Sequence, residues 1–509
     1  MKNSCPTFFN SIILSLLLLV TSCATAPGGN DGHPTNHHSG NNANVLSSKV
    51  EISSDNKPRL VVLYLADIHG HLRAGQDGLG GYARIRAWVD REKAAAGPKT
   101  DVVVVGGGDL TDKGSMPCLL KKDLPCVSLL HDLGIDFSIL GNHEVQRPLS
   151  EWKTLMGLSK IKWISANVSP LKGPKLWDSY LDYKGAKSGI KLRFLPFTKE
   201  LDREAHASRY LDYKFGPGPK TEAEWKSFIP QDFPYLLIHH QPTESDSEML
   251  AGLCKSNLKK PLILLKADEE NNRWRKNVQC VEGIEPGPHG KTIGRVVIEA
   301  DSFVGGKITE VSFVDMTSDL AENSAVKTLV SDLYAKIAPD ADQVLGNANS
   351  NHSIEEMVQW LSDSYRSVTR ADVAIVNWGV AKQALESGPV TREKIRLVFP
   401  YSNQLMGLDW SYAELSKALC RAVSRVKVGD ADYGSELYVS GAKIVNAGKA
   451  DCRLDSPRRG KLKVVIDDYV FKKSARWLGQ DLSKQNTWRF GVETPLAIEE
   501  RLKRDPKSL

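Results

Sequence analysis

The chain has 509 residues, of which 41% are hydrophobic and 25% charged, the balance of a globular protein and not of a disordered, collagenous or polytopic membrane chain. Lys plus Arg number 67 against 61 Asp plus Glu, a net charge of +6 without a long basic block; that is too dilute to point to a nucleic-acid polymer as partner. The length suits two or three domains.

Lys2 precedes a run from Ile12 to Val20 that is apolar except for Ser15, shorter than the roughly 20 residues of a membrane-spanning helix. It closes on Leu19-Val20-Thr21-Ser22-Cys23. Small residues before a cysteine resemble the lipobox of a bacterial lipoprotein signal peptide. The resemblance implies that residues 1–22 are removed and that Cys23 is acylated. The expected location is then the cell envelope, lipid-anchored on the periplasmic face of a bacterial membrane. Residues 23–56, rich in Gly, Asn, Ser and His, read as a flexible tether. His33, His37 and His38 lie in it as solvated residues. Of eight cysteines, six remain once Cys5 and Cys23 are set aside, and an even number in an exported chain suggests disulfides. Neighbours in sequence pair as Cys118–Cys126, Cys254–Cys280 and Cys420–Cys452, each pair within one expected domain.

From Lys57 on, apolar runs alternate with helical stretches. Leu60–Ala66, Asp101–Val105, Phe137–Leu140, Tyr235–Ile238 and Leu262–Leu265 read as buried strands. Ala83–Ala95 and Ser150–Met156 read as helices between them. The pattern predicts a layered α/β domain over residues 57–316, then a linker helix within 317–340. A smaller α/β unit follows over 341–509, with a helix at Ile354–Tyr365 and strands at Ala371–Val376, Leu437–Ser440 and Lys461–Ile466. The charged tail Glu499–Leu509 reads as loose.

Chemistry is concentrated where these strands end. The first ends in Asp67-Ile68-His69-Gly70, the second in Gly107-Gly108-Asp109, the third in Gly141-Asn142-His143-Glu144 and the fourth in His239-His240. Ligands of α/β sheets sit at the carboxyl ends of strands. Carboxylates with imidazoles suit Zn, Mn, Fe or related divalent ions. One such polar residue would be read as a cap; five in series point to a metal site.

The order D-x-H, GD, GNHE, then a strand-end His resembles the calcineurin-like metallophosphoesterases. Gly80-Gly81-Tyr82-Ala83-Arg84, Ala166-Asn167-Val168, Asn377-Trp378-Gly379, Phe399-Pro400-Tyr401-Ser402-Asn403 and Val439-Ser440-Gly441 extend the likeness to the exported 5′-nucleotidase family. The fold implied is a metallophosphoesterase domain, a β-sandwich flanked by helices, before a substrate-binding domain. The resemblance implies that Asp67 and His69 bind one divalent ion, that Asp109 bridges, and that Asn142 and His240 bind a second. His240 is preferred to His239 because Gln241-Pro242 and Asp246 follow it in the family pattern. His143 is implied as the catalytic histidine. Asn377, Lys382, Asn403 and Tyr469 are implied at the substrate. The cofactor is one or two divalent ions, Mn, Zn or similar, and the partner a nucleotide or other phosphate ester.

The pattern also breaks. The family's Gly-His-x-His after the fifth strand reads Lys266-Ala267-Asp268-Glu269. Aligning the strand puts Ala267 and Glu269 at the histidine positions. Alanine cannot ligate; Glu269 can, and is taken as a metal ligand. Lys266 adds a charge that opposes a dication. His289, in Pro286-Gly287-Pro288-His289-Gly290, reads as a surface-loop residue, although its loop could return it to the site. The Asp expected three residues after the catalytic histidine is Gln146, the Arg expected after Asn377 is Lys382, and the late Gly-Gly-Asp is Lys473-Ser474-Ala475. Two readings therefore stay open: a hydrolase of nucleotide or related phosphate esters, or a nucleotide-binding lipoprotein on the same scaffold without turnover. A narrower third is a relative acting on other esters, as the thiosulfohydrolases of this scaffold do.

Overall fold

The computed structural model describes residues 57–198, 212–268, 273–301, 305–426, 437–447, 449–457 and 459–509; Cys23 and Glu269 lie outside these residues. In chain order the strands of the first lobe are β1 (Arg59–Leu65), β2 (Thr100–Gly106), β3 (Phe137–Ile139), β4 (Lys162–Ile164), β5 (Val168–Pro170), β6 (Leu181–Lys184) and β7 (Lys191–Thr198). They continue with β8 (Tyr213–Phe215), β9 (Tyr235–His240), β10 (Leu264–Ala267), β11 (Trp274–Val278), β12 (Val281–Glu285), β13 (Thr292–Glu299) and β14 (Lys307–Asp315).

Both faces of β1 are apolar because both are covered. Leu60, Val62 and Tyr64 enter one core and Val61, Leu63 and Leu65 another, as side chains alternate along a strand. The first sheet runs β14-β13-β1-β2-β3-β4, the second β11-β12-β10-β9-β7-β6. β1, β2, β3 and β4 pair in parallel, as do β7, β9, β10 and β12. The two sheets face each other across a core that joins Leu60, Val62, Tyr64 and Val105 to Phe194, Leu236, Ile238 and Leu265. Helices Tyr82–Ala95, Leu149–Ser159 and Ser324–Ile337 cover the outer face of the first sheet. Glu222–Lys226 and Thr243–Lys255 cover the second. The lobe has four layers, helix, sheet, sheet, helix, as the sequence predicts. The expected linker helix joins the first lobe's core through Val326, Val330 and Tyr334.

The second lobe contains β15 (Val344–Ala348), β16 (Val373–Asn377), β17 (Gly388–Thr391), β18 (Gln404–Ser411), β19 (Leu437–Ser440), β20 (Lys443–Val445), β21 (Arg453–Asp455), β22 (Lys461–Asp467) and β23 (Thr487–Glu493). Its main sheet runs β19-β16-β22-β18-β23. On one face lies the helix Ile354–Thr369, started by a reciprocal cap between Ser353 and Glu356. Tyr412–Val426 lies on the other, through Leu415, Ala418 and Leu419.

The tail departs from expectation. Thr494–Arg504 is a helix, and Ile498, Leu502 and Leu509 are buried. Ile498 and Leu502 stand four apart on one face and pack with Met357 and Leu361, so the charges of this segment line the opposite side. The three disulfides are Cys118–Cys126, Cys254–Cys280 and Cys420–Cys452, the predicted set. Among the described residues no helix is long and apolar enough to cross a membrane. Between the lobes, buried Glu393 accepts from the Met116 N–H at 3.0 Å and from the Tyr334 hydroxyl. Arg73 lies 3.4 Å over the Tyr334 ring and 2.9 Å from Asp342.

Candidate metal centre

Asp67, His69 and Asp109 follow their strands in left-handed backbone, φ 50°, 49° and 50°, a region that non-glycine residues occupy at a cost. Cross-loop hydrogen bonds hold them there: Asp67 N–H to Gly108 O at 3.1 Å and His69 N–H to Asp109 O at 2.9 Å. Gly108 has φ 88°, and a Cβ on it would stand 2.6 Å from the Gly141 nitrogen and 2.9 Å from His240 Nδ1. Only glycine lets these loops meet. Buried Glu144 ties them together by accepting from the N–H groups of Asp109 (2.8 Å), Leu110 (3.0 Å) and Gly141 (2.8 Å). Burial, reinforced by the Asp109 charge, pushes its pKa up to about 7.

His240 ends β9 with no exposure. Its Nδ1 faces the Gly107 carbonyl at 2.8 Å; a carbonyl only accepts, so Nδ1 carries hydrogen and Nε2 is turned inward. Around Nε2 lie Asn142 Oδ1 at 2.9 Å, Asp109 Oδ2 at 3.3 Å, Asp268 Oδ1 at 3.8 Å and Asp67 Oδ1 at 4.0 Å. Acceptors so placed need positive charge between them. Burial opposes protonation of His240, yet Asp109, Asp67 and Asp268 outweigh it and raise its pKa well above the ordinary value. Burial also raises Asp67 far above the carboxylate range, with His240 opposing and Asp109 adding. For Asp109 burial acts in the same direction, but His240 and His143 prevail and hold it well below. Two like charges at close quarters divide in this way.

Two buried sets have ligand atoms within 4.8 Å of one another: Asp67, Asp109 and His240; and His69, Asp109 and His143. Asp109 belongs to both. His69 Nδ1 donates to the Thr111 carbonyl at 3.3 Å, which fixes the plane of its ring. The chemistry of this donor set, carboxylate and amide oxygens with imidazole nitrogens, fits one or two divalent ions such as Mn or Zn. His239 points the other way, into the outer layer: its Nδ1 is 2.6 Å from Asp246 Oδ1, and its ring 5.5 Å from that of Phe197.

Several residues differ from the sequence expectation. Ala267 lies in the inter-sheet core, paired in register with His240. Asp268, which sequence alignment passed over, brings its carboxylate to the centre, and its N–H donates to Asp67 Oδ2 at 3.1 Å. Lys266 does not face the metal position with a bare charge: it is fully buried and ion-paired with Asp246 at 3.3 Å. His289 is half-buried, and its loop does return it to the site. Its N–H donates to Asp67 O at 2.8 Å, and its ring stacks on His71 at 3.9 Å and stands 6.3 Å from His69. A Gly-Pro-rich loop gave no periodic sign of this. Burial, then His69 and Lys291, press the His71 pKa down to about 3, so that ring is neutral.

His69, His71, Lys113 and His289 line a cavity of about 40 Å³, closed from the second lobe by Lys382 and Leu397. Of the other residues implied at substrate, Asn377 ends β16 and is 6% exposed. Asn403 donates to Asp467 Oδ2 at 3.0 Å, and Tyr469 packs on the core around Val464 and Trp477. Lys382 is the one that faces the histidines of the first lobe.

Residues 60–262 match the calcineurin-like phosphoesterase family, and residues 335–456 match the 5′-nucleotidase C-terminal domain; the two matches follow one another along the chain. A 5′-nucleotidase of Vibrio vulnificus is 23% identical over 483 residues, covering 80% of this chain and 84% of that relative. The solved 5′-nucleotidase precursor of Thermus thermophilus superposes with TM-score 0.66 at 18% identity, covering 88% of this chain and 96% of that one. A sulfate thiohydrolase of the same organism gives TM-score 0.66 at 14% identity, covering 88% and 94%. At such identities the structural likeness establishes the two-domain fold.

Proposed function

We propose that the protein is a metal-dependent phosphoesterase of the 5′-nucleotidase type, hydrolysing nucleotide or related phosphate esters at the cell envelope, where Cys23 carries a lipid anchor. The observation that carries this reading is the Asp109 carboxylate, shared by two buried ligand sets at one rim of both sheets. Asp67, Asp109, Asn142, His240 and Asp268 would hold one ion, and His69 with Asp109 the other, a division that parts Asp67 from His69, which the resemblance put on one ion; Glu269 stays a proposed ligand on sequence grounds. Bound divalent ions supply Lewis acidity and a water acidified towards neutrality for in-line displacement.

The chain's own groups do the rest. His143, a member of the second set, presents its Nε2 beside the Lys113 ammonium, a nitrogen and a proton source for the reacting oxygens. Lys113 and Lys382 line the same cavity from the two lobes and would offer ammonium groups to phosphoryl oxygens. The cavity between the lobes, narrow in this conformation, excludes water from the reacting phosphorus. The test is release of inorganic phosphate from nucleoside monophosphates and a generic aryl phosphate, with Mn or Zn added after chelation. Turnover that is metal-dependent and lost in Asp109→Asn supports the reading. A chain that binds nucleotide but releases no phosphate with any divalent ion supports the binding lipoprotein instead, the reading favoured by Ala267 standing where an imidazole was expected.

A further inference from the structure

His143 is gripped by two consecutive residues of another loop. Its Nδ1 lies 2.7 Å from Asp112 Oδ2, and its Nε2 lies 2.7 Å from Lys113 Nζ. An ammonium has hydrogens and no lone pair, so Nε2 must accept and Nδ1 must carry the ring hydrogen, facing the carboxylate. The Asp112 approach is short but off the N–H direction, a contact between the carboxylate charge and the ring dipole rather than a well-aligned hydrogen bond. We propose that the Asp112-Lys113 turn is the positioning device of His143, fixing its tautomer and ring plane, and that Asp112 thereby does the orienting work that Gln146 has no charge to do. This rests on the phosphoesterase reading of the site.

The turn is built for the task. Asp112 and Lys113 both have left-handed backbone, φ 76° and 63°, an arrangement costing about 1–3 kcal/mol per residue and retained only when the surroundings impose it. They do. The Asp112 N–H donates to Asp123 Oδ1 at 3.0 Å, and Ser115 N–H to Gly70 O at 3.1 Å. At Gly114 a Cβ would stand 1.9 Å from His69 O, so the turn lies directly on the His69 backbone. The Cys118–Cys126 disulfide closes the loop behind it. His143 is itself anchored by its N–H to Asp109 Oδ1 at 2.8 Å, and its ring meets that of His69 edge-on at 5.2 Å. With both ring nitrogens engaged, Nε2 is presented with its lone pair on the side where Lys113 and the cavity lie.

Two substitutions separate positioning from folding. Asp112→Gly suits a left-handed residue and relieves backbone strain, so a purely structural role for Asp112 predicts unchanged activity and an equal or higher melting temperature. Positioning predicts a kcat lower by about 10-fold to 100-fold with KM within about two-fold, and an intermediate loss for Asp112→Asn, which keeps an acceptor oxygen without charge. A kcat for Asp112→Gly within two-fold of wild type overturns the proposal. A second readout needs no turnover: long-range proton–nitrogen NMR on histidine-labelled protein, with His143 assigned by the signal lost in His143→Gln. The expected wild-type signature is protonated Nδ1 and bare Nε2, lost in Asp112→Gly; a wild-type Nε2–H form overturns the proposal. If wild type releases no phosphate from any substrate, the phosphoesterase reading fails while the NMR result still decides the tautomer.

Discussion

Replacing Glu144 by glutamine removes one acceptor from the knot that holds three loops in place. The wild-type carboxylate takes the Asp109 and Gly141 N–H groups on Oε2 and the Leu110 N–H on Oε1, and it is fully buried. Glutamine has one oxygen, enough for two of the three donors; its amide nitrogen then meets the remaining N–H, donor to donor. One orphaned buried N–H costs about 1–3 kcal/mol, and loss of charge assistance at the other two about 1 kcal/mol more. The sum is about 2–4 kcal/mol. For a lobe of roughly 260 residues with an unfolding entropy near 2.1 cal/mol/K per residue, the melting temperature falls by about 4–7 °C. Glu144→Ala orphans all three donors and falls further. The assay is thermal unfolding by circular dichroism in chelator, repeated with Mn. The expected order is wild type, Gln, Ala, with the metal-induced gain shrinking along it because Asp109 loses its anchor. A Gln variant melting within 1 °C of wild type would refute the argument that this carboxylate holds the centre together.

Asp268→Ala should weaken binding of Mn at least about ten-fold, read by calorimetric titration of the chelator-stripped protein; an unchanged dissociation constant removes Asp268 from the ligand set. In the second lobe, burial pushes the Asp467 pKa up to about 6, above the roughly 3.9 of an unfolded chain. The folded state therefore binds more protons between about pH 4 and pH 6, and stability falls as pH rises through that window, by about 2–3 kcal/mol. Denaturant titrations at pH 4, 5, 6 and 7 should show this slope in wild type and not in Asp467→Asn; equal slopes would count against it. Glu393→Ala leaves the Met116 N–H and the Tyr334 hydroxyl without their acceptor at the lobe boundary, a cost of about 2–4 kcal/mol. It should appear as a lower melting temperature that Glu393→Gln partly restores, and no change in either variant would mean the boundary is held elsewhere.

What could be read from the residues was whatever is periodic or contiguous. β1 shows as an unbroken apolar run because both its faces are buried, and the strand-end motifs show because glycine and metal-type side chains sit side by side in the chain. What escaped was set by backbone that breaks periodicity. Along a strand, positions 267 and 269 share a face, so alignment skipped Asp268; its φ of 81° ends the alternation and turns its carboxylate inward to His240. The same holds for Asp112, 31 residues before His143 in sequence and brought to it by two consecutive left-handed residues that carry no pattern of their own. The tail misled for the opposite reason, its many charges masking the pairing of Ile498 with Leu502. The common thread is chemical. Where this chain lacks the expected imidazole at 267 and the expected carboxylate at 146, a carboxylate arrives from a left-handed residue nearby, at Asp268 and at Asp112. Two losses met by two carboxylates at the same centre argue that the site has been rebuilt rather than abandoned; Asp268, the one of the two beside His240, makes the metal shell richer in oxygen, which should favour Mn or Mg over Zn. Competition titrations of the stripped protein decide this: a site that takes Zn with the preference of an imidazole-rich shell would show that Asp268 does not act on the metal.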